Sequence, residues 1–138
     1  MYYHIYKSEI GKIYLVSNGH ALCGCYLENQ KNFPKEILNY QKDASLKIFN
    51  EATNWLKRYF KGENVENNEI LLEVNGTDFR KNVWNIIKGI HYTNTVTYKQ
   101  IADTIIKNNK LKSMSYQAIG SAVGYNPLLI FIPCHRVI

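Results

Sequence analysis

The chain changes periodicity at Asn75-Gly76, and this limits it to an α/β architecture in two parts. Ahead of that point, Tyr2–Ser8, Lys12–Ser17 and Ala21–Leu27 are short runs rich in Tyr, Ile, Val and Leu. Glu9-Ile10-Gly11 and Asn18-Gly19 separate them, so three strands joined by tight turns are predicted. The stretch Asn29–Lys42 is polar and irregular, with Pro34 inside it. A helix is predicted from Ala44 to about Lys61, with Leu46, Phe49, Leu56 and Phe60 on one stripe and Ile48, Trp55 and Tyr59 beside it. Asp43 is its expected cap and Gly62 follows its last periodic residue. Lys61–Glu69 reads as an Asn-rich linker and Ile70–Val74 as one more short strand.

Beyond Gly76 the pattern turns helical. Thr77 or Asp78 caps a helix with Phe79, Val83, Ile86, Ile87 and Ile90 on one face. A turn is expected at His91-Tyr92-Thr93-Asn94. Thr97-Tyr98-Lys99-Gln100 fits a capping box, opening a helix that buries Ile101, Ala102, Ile105 and Ile106. A basic connection (Lys107 to Lys112) leads to Ser115, which caps a short helix, Tyr116–Val123, stopped by Gly124. That helix is built of small residues, Ala118, Gly120, Ser121 and Ala122, so its backbone can approach a partner closely. Two short helices in a basic segment point to a helix-turn-helix, although the connection is longer than in its simplest forms.

Composition narrows the function. A chain of 138 residues makes one ordinary domain or two small lobes, and 46% hydrophobic with 13% aromatic content excludes disorder. No apolar run approaches the roughly eighteen residues that a membrane helix needs. Lys7, Glu9 and Lys12 occupy the place of a signal peptide's apolar stretch. A soluble, cytoplasmic protein is therefore expected. Cys23, Cys25 and Cys134 are then thiols, either buried or reactive. The net charge of +6 is unevenly placed. Residues 1–75 hold nine Lys/Arg and nine Asp/Glu, whereas residues 76–138 hold eight Lys/Arg against only Asp78 and Asp103. All the excess lies in the second part, which points to a polyanion, of which nucleic acid is the usual case. A basic solvated surface without a ligand is the competing reading.

After Asn126-Pro127 an apolar run, Leu128–Ile132, reads as a buried strand leading into Pro133-Cys134-His135-Arg136-Val137. Thiolate is the reactive form of cysteine, and an ordinary thiol supplies little of it at neutral pH. His135 can take the proton directly or through water, and Arg136 adds positive potential. Pro133 stiffens the approach and holds Ile132 extended. On these residues alone, a buried thiol beside a surface His and Arg explains the sequence equally well.

The whole string is more specific. Ile132-Pro133-Cys134-His135-Arg136-Val137 resembles the active-site signature of the O6-alkylguanine-DNA alkyltransferases, or methylated-DNA–protein-cysteine methyltransferases. The resemblance extends over Gly76-Thr77-Asp78-Phe79 with Val83-Trp84, Thr97 to Ala102, Ala118-Ile119-Gly120 and Asn126-Pro127. It implies residues 1–75 as a ribonuclease-H-like α/β lobe. Residues 76–138 would then be a mainly helical, winged-helix-like DNA-binding lobe carrying the reactive cysteine. It further implies an enzyme that acts once, moving an alkyl group from O6 of an everted guanine in double-stranded DNA to a cysteine. By that resemblance Cys134 is the acceptor and His135 draws off its proton through water. Tyr98 helps rotate the nucleotide and protonates the leaving guanine, and Asn126 ties the recognition helix to the active-site loop. Ser115, Tyr116, Gln117, Ala118, Gly120, Ser121 and Arg136 are the expected DNA-binding residues, with the short helix in the minor groove. No cofactor, no metal and a monomer are expected.

Two departures accompany the resemblance. Gln117 stands where many members carry an arginine finger, so weaker DNA binding is expected. The sequence stops at Ile138, ahead of the glycine-containing lid, last helix and histidine-orienting glutamate of the family, so a fragment or a truncated form with reduced activity is expected. Asp103 and Glu73 are only guesses for that glutamate. His4, His20, Cys23 and Cys25 do not match a standard zinc spacing. Other readings are a DNA-binding protein that flags alkylated guanine without transfer, a cysteine hydrolase, and a regulatory helix-turn-helix protein. The hydrolase is disfavoured because adjacent Cys and His rarely meet as a triad requires.

Overall fold

The computed structural model describes residues 1–90 and 94–138. Three of the four residues of the turn expected at 91–94 therefore lie outside the described residues. The chain forms two compact units, one of Met1–Val74 with Pro127–Leu129 and one of Asn75–Asn126 with Ile130–Ile138.

In the first unit these runs form the three predicted strands, β1 (Tyr2–Ser8), β2 (Gly11–Ser17) and β3 (Leu22–Leu27), in an antiparallel meander. The stretch before the helix is less irregular than expected. Lys35–Asn39 makes a 3-10 turn, and β4 (Gln41–Lys42) pairs parallel with β1. The sheet order is β3-β2-β1-β4. Every residue from Ile13 to Ser17 is buried, whereas a strand with one wet face would alternate. The cause is cover on both faces. Tyr3, Ile5, Tyr14, Val16 and Tyr26 pack with Phe33, Ile37 and Tyr40 on one side. On the other lies α1 (Lys47–Phe60), packed on β2 and β3, with the Phe49 ring centred 5.8 Å from that of His4. A Cβ added at Gly24 would lie 2.7 Å from Tyr26 Cε2 and 3.2 Å from Val16 Cβ, so this strand position has no room for a side chain.

Four expectations for this unit need correction. α1 begins at Lys47, not Ala44, and Leu46 occupies the N-cap without a side-chain bond. Asp43 does not cap it, because its carboxylate accepts from the Ser45 N–H (2.9 Å) and hydroxyl (2.5 Å) in a local turn. Lys61–Glu69 is not a free linker. The Trp55 indole N–H donates to Glu66 O (2.8 Å), Val65 is buried, and Glu66 and Glu69 cap a 3-10 turn reciprocally. Ile70–Val74 makes only a single parallel bridge, Leu72 to Leu22.

The second unit contains α2 (Asp78–Lys88), α3 (Tyr98–Asn109) and α4 (Tyr116–Gly124). Their caps are those read from the sequence. Thr77 Oγ1 accepts from Arg80 N–H (3.2 Å), Thr97 and Gln100 form the reciprocal box, and Ser115 Oγ accepts from Ala118 N–H (3.2 Å). Val83, Trp84 and Ile87 of α2 are buried, as are Ile101, Ala102 and Ile105 of α3 and Ile119 and Ala122 of α4. α3 runs on through Asn109 and stops at Lys110, whose φ of 55° turns the chain toward α4. The Trp84 indole N–H donates to Ala122 O (2.8 Å), a buried bond joining α2 to the last turn of α4.

The close packing at Gly24 makes a direct test of the sheet. Gly24→Ala is expected to destabilise the protein by about 1–3 kcal/mol through overpacking, read as a lower urea midpoint with an unchanged slope.

Candidate active site

Asn126 lies just past Tyr125, the C-cap of α4, and its side chain closes the loop that leads to the thiol. Its Nδ2–H donates to Ile132 O (2.8 Å), bridging six residues across the loop. The apolar run inside that loop is buried except at half-buried Leu129, and it is not the predicted strand. Leu128 makes one bridge, to Cys25, with Cys25 N–H donating to Pro127 O (2.8 Å) and Leu129 N–H to Cys25 O (3.0 Å). Ile130 then takes a φ of 72°, which ends any extended run. A β-branched residue seldom adopts that conformation, and burial of Ile130 and Phe131 holds it. Pro133 is buried, and Cys134–Arg136 form one 3-10 turn.

Cys134 is half-buried. Its Sγ–H donates to Val123 O in the last turn of α4 (3.5 Å). Burial pushes the thiol pKa up to about 11, and a hydrogen bond from the Asn126 side chain works against that rise. Asn126 thus holds the loop and favours the thiolate with the same side chain. His135 is exposed. Partial burial of its ring, followed by the charge of Arg136, lowers its pKa, so it is neutral and able to accept a proton at neutral pH. Among the described residues no hydrogen bond joins the imidazole to the thiol, and no carboxylate meets the imidazole. Asp103 pairs with Lys99 on α3 (2.8 Å), and Glu73 accepts from Asn18. Neither guess for a histidine-orienting acid is supplied by these two side chains. Arg136 donates through Nη1 to Ile90 O (3.0 Å) and acts electrostatically on His135 rather than on the thiol.

Tyr98 is the first residue of α3 and is 37% exposed. Its N–H donates to Ile138 O (3.2 Å), next to the pair formed by Val96 with Arg136 O (2.9 Å) and Ile138 N–H (2.8 Å). These bonds tie the start of α3 to the segment just after the cysteine. The Tyr98 ring lies 4.0 Å from where a Gly120 Cβ would be, so the ring and the small-residue face of α4 meet. On α4, Tyr116, Gln117 and Ser121 are exposed, Ala118 and Gly120 are half-covered, and Ile119 and Ala122 face inward. The helix carries no charge at all.

The cysteine pair outside this region is not equivalent to Cys134. Cys25 is fully buried, with its pKa driven far up by desolvation, and Cys23 is half-buried, with Sγ–H directed to Ala21 O (3.6 Å). Among the described residues no three His, Cys, Asp or Glu side chains gather as a metal site, and no helix is long and apolar enough to cross a membrane. One contact escaped the sequence reading. The Arg80 guanidinium of α2 lies over the Tyr125 ring, 4.5 Å from its centre.

A four-stranded sheet with its covering helix in one unit, and three capped helices with a half-buried thiol in the other, define a two-part α/β class of protein. Residues 1–74 match the family model described as 6-O-methylguanine DNA methyltransferase, ribonuclease-like domain, and residues 78–138 match the one described as its DNA binding domain. The chain belongs to that family. It is 39% identical to the methylated-DNA–protein-cysteine methyltransferase of Methanosarcina barkeri over 138 residues, covering all of this chain and 82% of the relative. The protein of the same name from Haemophilus influenzae is 31% identical, with 73% of it covered. The crystal structure of Mycobacterium tuberculosis OGT in complex with DNA superposes with a TM-score of 0.84 at 33% identity, over 100% of this chain and 78% of that one.

The raised thiol pKa predicts how Cys134 reacts. Thiolate accumulates only as pH climbs toward about 11, so alkylation of Cys134 by iodoacetamide should accelerate about tenfold per pH unit from 7 to 9. A plateau near pH 8, measured by peptide mass spectrometry, would contradict it.

Proposed function

We propose that this protein repairs DNA by moving the alkyl group of an O6-alkylguanine onto Cys134, irreversibly and once per molecule. The observation that carries the reading is the half-buried Cys134 set against the last turn of α4, its thiol hydrogen-bonded by Asn126. In the reaction the thiol proton passes to neutral His135 through a water. The Cys134 sulfur attacks the alkyl carbon, forming a C–S bond as the C–O6 bond breaks, and the electron pair of that bond leaves with the guanine. The Tyr98 hydroxyl gives the departing guanine its proton. The products are restored guanine and an S-alkylcysteine. Nothing in this scheme regenerates the thiol, so stoichiometry is one.

The substrate carbon is hidden inside a duplex, so the nucleotide must be everted at a cost of a few kcal/mol. α4 suits the vacated groove because its face is small and uncharged, allowing backbone approach without base reading. Gln117 is the residue proposed to fill the gap in the stack, with Tyr116, Ala118, Gly120 and Ser121 along the same face and Ser115 at its cap. Arg136 is proposed to act at the same interface while holding Ile90 O. We further propose that the protein acts as a monomer in the cytoplasm and needs no cofactor.

The test is direct. After incubation with a duplex containing O6-methylguanine, the intact protein should gain one methyl mass on Cys134, and Cys134→Ala should gain none. Retention of the modified duplex without that mass would support binding alone and overturn transfer.

Gln117 generates a second expectation. Gln117→Arg should tighten binding to unmodified duplex and steepen its salt dependence, because one more cation displaces about 0.9 counterion. Equal affinity and slope in fluorescence titrations would remove Gln117 from the interface.

A further inference from the structure

The uncharged recognition helix leaves a physical problem at its C-terminal end. A helix end of that polarity carries a negative partial charge and repels phosphate. α4 has no basic residue in its last turn to offset this. The exposed stripe Gln117, Ser121, Tyr125 runs toward that end, because the Tyr125 N–H still bonds Ser121 O (3.1 Å) and continues the helical spacing. Tyr125 itself is 52% exposed.

A cation reaches this place from another helix. Arg80 and Trp84 are one turn apart on α2. Trp84 anchors the contact through its buried bond to Ala122 O, and Arg80 meets the next position along, with its guanidinium 4.5 Å from the centre of the Tyr125 ring. The backbone around this contact is also fixed. Thr77 caps the turn that carries Arg80, and a Cβ at Gly76 would lie 2.8 Å from the Trp84 ring. Asp78 and Asp103 are the two carboxylates of this unit. Asp103 is paired with Lys99, and among the described residues no carboxylate pairs with Arg80. A guanidinium aligned on an aromatic ring is an oriented fork of donors, which suits a phosphate group better than a flexible surface lysine.

We infer that Arg80, aligned by Tyr125, is a phosphate-binding residue that grips the DNA backbone at the C-terminal end of α4. The inference rests on the DNA-repair reading for the side of α4 that faces the duplex. It supplies from α2 the positive charge that α4 and Gln117 lack.

The experiment measures the salt dependence of binding to unmodified duplex for the unaltered protein, Arg80→Gln, Arg80→Lys and Tyr125→Ala, with thermal unfolding of each. Loss of one phosphate contact should lower the slope of log affinity against log salt by about 0.9. The affinity deficit of Arg80→Gln should therefore be about 3.5-fold larger at 50 mM than at 200 mM salt. Arg80→Lys keeps a charge and should restore most of the slope. Tyr125→Ala frees the guanidinium and should weaken binding. If Arg80→Gln and Tyr125→Ala lower the melting temperature alike and neither changes binding or slope, the pair is a staple between helices and the inference falls. Methyl transfer by the unaltered protein is read separately by mass. Transfer with an unchanged Arg80→Gln slope overturns this inference alone, whereas an Arg80-dependent slope without transfer overturns the repair chemistry alone.

Discussion

The Asn126 carboxamide is the constraint on which the reactive loop depends. It bonds Ile132 O across the loop and supplies the hydrogen bond that opposes the burial of the Cys134 thiol. One side chain therefore couples the position of the sulfur to its ionisation. Removal of that amide would release the loop and leave desolvation unopposed, so geometry and reactivity would fail together. The Trp84 bond to Ala122 O works one turn earlier in α4 and fixes the helix against α2. Between them, these two bonds hold the last turn of α4, where Val123 O accepts the thiol's hydrogen bond.

Local signals in the sequence were sufficient for much of this fold. Thr97 with Gln100, Ser115 and Thr77 cap their helices because each bond joins residues three apart and needs nothing else. The three long strands follow from runs rich in strand-forming residues and tight turns for the same reason. Asp43 failed as a cap because Ser45 competes for its carboxylate at shorter range. Lys61–Glu69 was misread as a linker since its order comes from Trp55, Val65 and Arg58, which a local composition rule does not weigh. Leu128–Ile132 was read correctly as buried but wrongly as a strand, because an apolar run reports burial and not backbone conformation.

The site shows the same division. The motif names Cys134, His135, Tyr98 and Asn126 as candidates but does not say how each is held. That His135 carries a lowered pKa, and that Arg136 spends a donor on Ile90 O, are consequences of packing. Arg80 and Tyr125 belong to different helices far apart in sequence, so no window could bring them together. Positive charge in the second unit was visible as a total, and its useful placement was visible only in three dimensions.

Burial of the proposed acceptor thiol has a consequence for a protein that, on this reading, reacts only once. A sulfur held as thiol near neutral pH is a poor nucleophile toward soluble electrophiles and a poor target for oxidation, since both act on thiolate. In the proposed reaction the competent state arises only when an alkylated base sits at the sulfur and a proton can leave toward His135. The energetic cost of burial then acts as selectivity: it slows reaction with stray electrophiles in solution. An everted guanine, by contrast, arrives with its alkyl carbon already positioned, and such placement lowers the barrier without requiring a low thiol pKa. A raised pKa at the acceptor is therefore compatible with efficient transfer, provided that DNA binding supplies the orientation.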